Sequence, residues 1–326
     1  MDHHIPTYAR FQWINHPTIH TVLRHFLAPP AVGRKGYDKV LMFQWLMYKA
    51  VMGCSYRDLE SMSGIDHSTF VKFRQRLLRT RWFTRVFRKL VTTIAPVLES
   101  MTLVIDSSFV ETYSRHDEHG SGYSGYKEKT GYKLHQMIDY ATRLPLVQLT
   151  SSGNEADITY GRQLLDRAPP RWPVRGFAAD KGYDSMDFIH DIYRKWPRSQ
   201  IAIPMRRPTS GNAWNTALRK AHRTTDSDLY RKRTEIERYF SRKKQVFNLG
   251  EERTRHLKNF RANCYLTSIM EILEWLSQPQ PWVTLFTRLV SVQKMGTPFR
   301  KGIPAHVSIV ASIPQRRLAT ATMYAP

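Results

Sequence analysis

Between Tyr230 and Lys244 the chain sets a carboxylate among cations at helical spacing. With Tyr230 as zero and about 100° per residue, Arg233 falls at about 300°, Glu237 at about 340° and Lys244 at about 320°. One aromatic ring, two cations and one acid therefore share a narrow helix face, while Glu235, at about 140°, lies on the other side. A carboxylate on a rigid element among cations suits a metal ligand beside a bound polyanion. The same spacing also fits an exposed helix laced with i,i+4 ion pairs, and the run alone does not choose. Upstream, Asp106 ends the apolar run Leu103-Val-Ile105, and Asp180 ends a second run that starts at Val174. Each of these aspartates, taken singly, also fits a strand-end turn.

Together the three acids carry a resemblance. Tyr230, Arg233, Glu237 and Lys244 keep every spacing of the Y-x2-R-x3-E-x6-K signature, so the chain resembles insertion-sequence transposases of the DDE class, in particular the IS-five-like family of the IS-four-like superfamily. Asp180, Gly182, Tyr183 and Asp184 resemble the D-x-G-Y-D turn of that family. Gly131, Tyr132, Lys133 and His135 are similar to its G-Y-K-x-H strand, and Gly153, Asn154 and Asp157 to its G-N-x-x-D turn. The motifs stand in family order, and the resemblance covers roughly residues 35 to 278. Lys181 departs from it, since relatives often carry a small or neutral residue there.

The resemblance implies an α/β, ribonuclease H-like mixed sheet flanked by helices, with an all-helical N-terminal domain. It implies a DNA transposase that cleaves transposon ends by metal-dependent phosphodiester hydrolysis and joins them to target DNA by transesterification. Asp106, Asp180 and Glu237 would be both catalytic residues and ligands of two Mg2+ or Mn2+ ions, since hard cations take oxygen ligands and a paired-ion site suits in-line displacement at phosphorus. Asp106 would bridge the two ions. Tyr230, Arg233, Lys244, Lys133 and His135 would contact DNA, although for His135 a structural hydrogen bond is an equal reading. Lys133 and His135 alternate by two and so share a sheet face. Asn154 and Asp157 read as turn formers. Trp214 reads as local packing, with base stacking as the alternative. Partners implied are duplex DNA, as terminal inverted repeats and target, and a second copy of the chain in a homodimer or higher oligomer. The competing function is a catalytically silent DNA-binding regulator derived from a transposase.

Charge agrees with a polyanionic partner: 50 Lys and Arg against 27 acids give a net +23. Apolar residues make up 41% of the chain, enough for a real core. No apolar run reaches the ~18 residues that would cross a bilayer, and no signal-peptide pattern opens the sequence. Cys54 and Cys264 lack a second cysteine or histidine at ligand spacing, so they read as free thiols rather than zinc ligands. A cytoplasmic, nucleoid-associated protein is the expectation.

Four regions follow. Residues 1–36 read as an irregular arm with four prolines. Residues 37–98 read as helix-turn-helix-like: a buried helix from Lys39 to Val51, a second opened by a capping-box variant at Ser55 and stopped by Gly64, and a third capped by Asp66. That third helix buries Phe70, Phe73 and Leu77 and carries Lys72, Arg74, Arg76, Arg79 and Arg81. Residues 99–278 hold the expected catalytic domain, with strands at Leu103–Ser107, Lys133–Asp139, Leu144–Thr150, Val174–Ala179 and Gln200–Ile203. Its helices are expected over Ile158–Asp166, Asp187–Lys195, Asp228–Phe247 and 256–278, with 113–131 a hairpin or loop near the site and 205–227 a short basic connection. Residues 279–326 form a tail with prolines and cations but no acid.

Overall fold

The computed structural model describes residues 9–27, 36–113, 120–205 and 227–278. The described part of the N-terminal region, residues 9–27, is largely helical. A 3-10 turn over Ala9–Asn15 leads into α1, Pro17–Phe26. Over residues 9–26 this corrects the expectation of an irregular arm: Pro17 occupies the first helical turn, where its missing N–H costs nothing, and the His16 ring accepts from the Thr18 amide. Helix α2, Lys39–Met52, is capped by Asp38 and ends at Gly53 in the left-handed region, φ 65°. It is apolar nearly all round and runs through the middle of the bundle. Helix α3, Tyr56–Ser63, opens on a reciprocal Ser55–Asp58 capping box, and Asp66 caps α4, His67–Arg79. Helix α5, Trp82–Ile94, buries Phe83, Val86, Phe87 and Leu90.

The sheet begins with β1, Met101–Thr112, which extends beyond the expected strand at both ends. A hairpin follows, β2 (Gly122–Ser124) paired antiparallel with the start of β3 (Lys129–Asp139), and then β4 (Pro145–Ser152). Helix α6 (Asp157–Arg167), strand β5 (Val174–Ala179), helix α7 (Met186–Lys195) and strand β6 (Gln200–Ala202) complete the alternating part. Spatial order is β4-β3-β1-β5-β6, with β1, β3 and β4 antiparallel and β1, β5 and β6 parallel. This mixed sheet flanked by helices is the ribonuclease H-like architecture that the motifs imply. A two-residue strand β7, Glu251–Glu252, pairs with the far end of β1.

The long helical run over Asp228–Phe247 is two helices, α8 (Ser227–Arg231) and α9 (Thr234–Val246). The chain tightens between them: the amides of Arg233, Glu235 and Ile236 each donate to the carbonyl three residues back, at 3.0, 3.1 and 3.1 Å. Helix α10, Leu257–Ser277, follows.

Two apolar clusters sandwich the sheet. One joins the N-terminal helices, α6, α7 and most of α10 to Leu103 and Ile105 of β1. The other joins Val104, Leu134 and Ala178 to Leu229, Ile236 and Tyr239. The N-terminal helices and the sheet therefore share one core. Cys54 and Cys264 are free thiols, as expected. No described helix is long and apolar enough to cross a membrane. Trp214, most of the 205–227 connection and the tail lie outside the described residues.

Candidate active site

Strand register brings the two aspartates together. Ile105 pairs with Ala179 across the parallel β1–β5 ladder, so Asp106 and Asp180 are the next residue on each of two adjacent strands. Neighbouring strands lie about 4.8 Å apart. Leu103, Val104 and Ile105 are fully buried, which anchors β1 and leaves Asp106 half-buried where the apolar run stops. Asp106 accepts from the Ser107 amide at 2.8 Å. Asp180 caps the 3-10 turn Lys181–Tyr183, accepting from the Lys181 amide at 2.6 Å.

Burial, above all, pushes the Asp106 carboxyl up to about 6. The Ser107 amide and the Arg233 guanidinium oppose that push, while Asp180 and Asp157 add to it. The centre is short of positive charge in spite of a chain at +23. Oxygen donors with uncompensated negative charge fit a hard divalent cation.

Glu237 lies on α9, which packs on the face of β1 that carries Asp106. Val104 and Asp106 are two apart and share a face, and Val104 belongs to the apolar cluster that contains Ile236 and Tyr239 of α9. Arg233 pairs with Glu237 at 2.7 Å, so the i,i+4 ion pair of the plainer reading is present. Its guanidinium also lies over the Tyr230 ring, 5.7 Å from the centroid, and acts on Asp106. Tyr230, Arg233 and Glu237 thus stay in contact although the helix breaks between α8 and α9. The wheel drawn over one continuous helix is corrected to that extent. The Glu237 side chain is 54% exposed. Glu235, on the other side as its angle required, is buried and pairs with Arg143 at 2.7 Å and Arg238 at 3.2 Å.

Asp106, Asp180 and Glu237 are not drawn into a tight cluster. Among the described residues, Glu60, Asp66 and His67 form the one group of three metal-capable side chains within 4.8 Å. That group sits at the exposed α3–α4 junction, where Asp66 caps α4 and His67 pairs with Glu60 at 2.8 Å.

Lys133 and His135 share a face, as their spacing required, but it is not the face of Asp106. Asp106 stands opposite Gln136, whereas His135 stands opposite Ser107 and Lys133 opposite Phe109. Both turn toward α6. Lys133 pairs with Asp157 at 3.0 Å. His135 is fully buried, bonded to Ser151 Oγ at 2.8 Å and stacked on Tyr160 with centroids 4.3 Å apart. Burial holds this imidazole down at about 4, so it is neutral at pH 7. It has the structural role that the sequence left open, because a ring without exposed surface offers nothing to DNA.

The G-Y-K-x-H and G-N-x-x-D motifs have a packing cause. A Cβ on Gly131 would lie 2.2 Å from the Val110 carbonyl oxygen, and one on Gly153 would lie 2.6 Å from that of Gly122. Close strand contact there fixes the loop that delivers Asp157 to Lys133. Two residues of the centre escaped the sequence reading. Asp157, read as a turn former, contributes charge to Asp106. Tyr183 is buried, its hydroxyl without a hydrogen-bond partner among the described residues, and burial followed by Asp106, Asp157 and Asp180 drives its ionisation well above the ordinary value. Their place inside the two Gly-containing motifs was the available signal.

Lys244 lies two turns beyond Glu237 and is half-buried; burial and the nearby Lys127 lower its pKa. It opens on a cleft of about 420 Å3 between α2, α4 and the end of α9, with Lys49, Arg74 and Arg253 also on its walls.

Residues 99–271, more than half of the chain, match the family described as the transposase DDE domain. A similar solved structure is the cryo-EM structure of a piggyBac transposase synaptic complex with hairpin DNA. The identity is 13%, the match covers 89% of this chain and 80% of that one, and the TM-score is 0.39. No curated protein matches the chain.

Proposed function

This chain belongs to the transposase DDE domain family, and we propose that it cleaves the DNA ends of a mobile element and joins them to a target through Asp106, Asp180 and Glu237. The observation that carries the reading is the β1–β5 register, which sets two aspartates side by side at adjacent strand ends beneath the helix of Glu237. These three carboxylates would hold two Mg2+ or Mn2+ ions, which supply an activated water and neutralise charge on the scissile phosphate. The chain's own contribution is placement. Burial makes Asp106 a carboxyl that stays protonated up to about pH 6 when nothing offsets its charge, so positive charge bound there is favoured at neutral pH.

Arg233, Lys244, Tyr230 and Lys133 would position phosphates. Arg233 is the charge that must be shared: it holds Glu237 now and would turn to a phosphate once Glu237 is engaged elsewhere. Duplex DNA is the expected substrate, with a second copy of the chain holding the other end, and the cytoplasmic nucleoid the expected location.

The test is incubation of the full chain with a duplex carrying the ends that flank its own gene, in Mg2+ or in EDTA, beside Asp180→Asn. Metal-dependent nicking and joined products, both absent from the variant, are expected. Tight binding without cutting by the folded wild type would replace this reading with that of a silent DNA-binding regulator.

A further inference from the structure

Along β4, at the edge of the sheet, lies a groove of about 620 Å3. Its floor is β4, at Gln148 and Thr150, and three helices wall it. Two helices present an i, i+3, i+7 face, Tyr160, Gln163 and Arg167 from α6 and Lys258, Arg261 and Tyr265 from α10, and α5 adds Thr84, Arg88 and its N-cap residue Arg81. Five cations line it and no acid does, among the described residues. All five are exposed, and none has a carboxylate partner among the described residues. Arg261 spends one hydrogen on Thr150 Oγ1 at 3.1 Å. The cations press on one another: burial first, then Arg88 and Arg261, lower the Arg167 pKa, against the Tyr265 phenol that raises it.

Some exposed arginines elsewhere are neutralised instead. Arg162, Arg194 and Arg231 each have an aspartate partner, and Arg143 and Arg238 share Glu235. Five cations left without a counter-charge in one concave surface call for an external polyanion, since convergent like charge is otherwise unfavourable. The length is informative. Seven residues of helix rise about 10 Å, which spans about three phosphates of one DNA strand at ~3.4 Å each along the duplex axis. The groove also adjoins the acid centre, because Tyr160 is one helical turn from Asp157 and stacks on His135.

We propose that this α5–α6–α10 groove is a second DNA-binding site of the chain, holding the backbone of one strand of a duplex along the β4 edge of the sheet. The identity of the polyanion as DNA rests on the function proposed above; the cationic groove does not.

The experiment measures binding of the full chain to a labelled random-sequence duplex of about 30 base pairs in EDTA, so that no step of catalysis enters. Wild type is compared with the triple variant Arg88→Gln/Arg167→Gln/Arg261→Gln. A charge-matched control, Arg171→Gln/Arg175→Gln/Arg198→Gln, removes three exposed cations near the opposite ends of β5 and β6. Expected is at least about a tenfold loss of affinity for the groove variant, with a salt dependence shallower by about 0.9 for each phosphate that the variant no longer neutralises. The control should stay within about twofold of wild type. Equal losses in both triples, no loss in the groove triple, or absence of wild-type binding would overturn the proposal. A groove triple that binds weakly while wild type binds tightly but never cuts its own ends would leave the groove standing and remove the cleavage reading.

Discussion

Helix α9 carries two ionic arrangements six residues apart, and they are built on opposite plans. At its end nearest the acids, Glu237 pairs with Arg233 and its side chain is 54% exposed. Further along, Lys243 is 1% exposed and is bonded to Thr267 Oγ1 at 2.9 Å, Ser268 Oγ at 2.8 Å and Glu271 at 3.1 Å. Glu271 in turn accepts from the Tyr239 hydroxyl at 2.8 Å. Burial pushes Lys243 down and Glu271 up, and their mutual attraction opposes both shifts. The buried lysine has its hydrogens assigned inside the protein and locks α9 to α10. The Glu237 end leaves valence open to the outside. Surplus satisfaction marks architecture; charge left short of partners marks a place for a ligand.

The contrast can be broken in several ways. Its largest effect should follow Asp106→Asn, which removes at least about a thousandfold of metal-dependent cleavage, or about 4 kcal/mol of barrier, with the fold intact. Cleavage rate and circular dichroism measured together check it. Next comes Lys243→Met, which strands the Glu271 charge and should cost about 3–5 kcal/mol in denaturant unfolding. Adding Glu271→Leu should recover much of that loss.

The third effect is a pH dependence. The Asp106 carboxyl is raised from 3.8 to about 6 in the folded chain, so the native state holds that proton more tightly than the unfolded state. Its contribution to stability is full below about 3.8 and lost as pH rises through about 6. Without metal, Asp106→Asn should therefore be more stable than wild type at pH 7 by up to about 3 kcal/mol. The gap should close toward pH 4 and is measured by urea titration. Arg233→Gln removes a cation that favours ionised Asp106, so the pH midpoint of Mn2+ binding should move upward. The smallest effect belongs to Glu235→Gln, which loses exposed arginine partners: about 1 kcal/mol of stability by thermal melt, with cleavage unchanged.

Much of the site was legible because it rests on local pattern. The family resemblance pointed to Asp106 and Asp180 at the ends of two apolar runs as candidates, and helical spacing separated Glu237 from Glu235. Hydrophobic and capping patterns likewise gave α2 to α4, down to the Ser55–Asp58 box and the Gly64 stop. What escaped depends on contacts distant in sequence. The break before Thr234 is a three-residue hydrogen-bond pattern that leaves no Gly or Pro signal. Lys133 and His135 showed that they share a face, but which face follows only from their pairing with β1. The α1 helix was obscured by prolines that flank or begin it rather than interrupt it. Arg74, one of the cations the sequence places on α4, donates to Asn263 of α10 at 2.8 Å, which only the packing of α4 on α10 reveals.

The most direct measurement is nicking of the end-bearing duplex in Mn2+ by wild type, Glu235→Gln and Glu237→Gln side by side. Two glutamates on one helix, two residues apart, then serve as each other's control. Wild type and Glu235→Gln should cut alike, and Glu237→Gln should not cut. Cutting by Glu237→Gln at the wild-type rate, or loss of cutting in folded Glu235→Gln alone, would contradict the assignment of the third carboxylate.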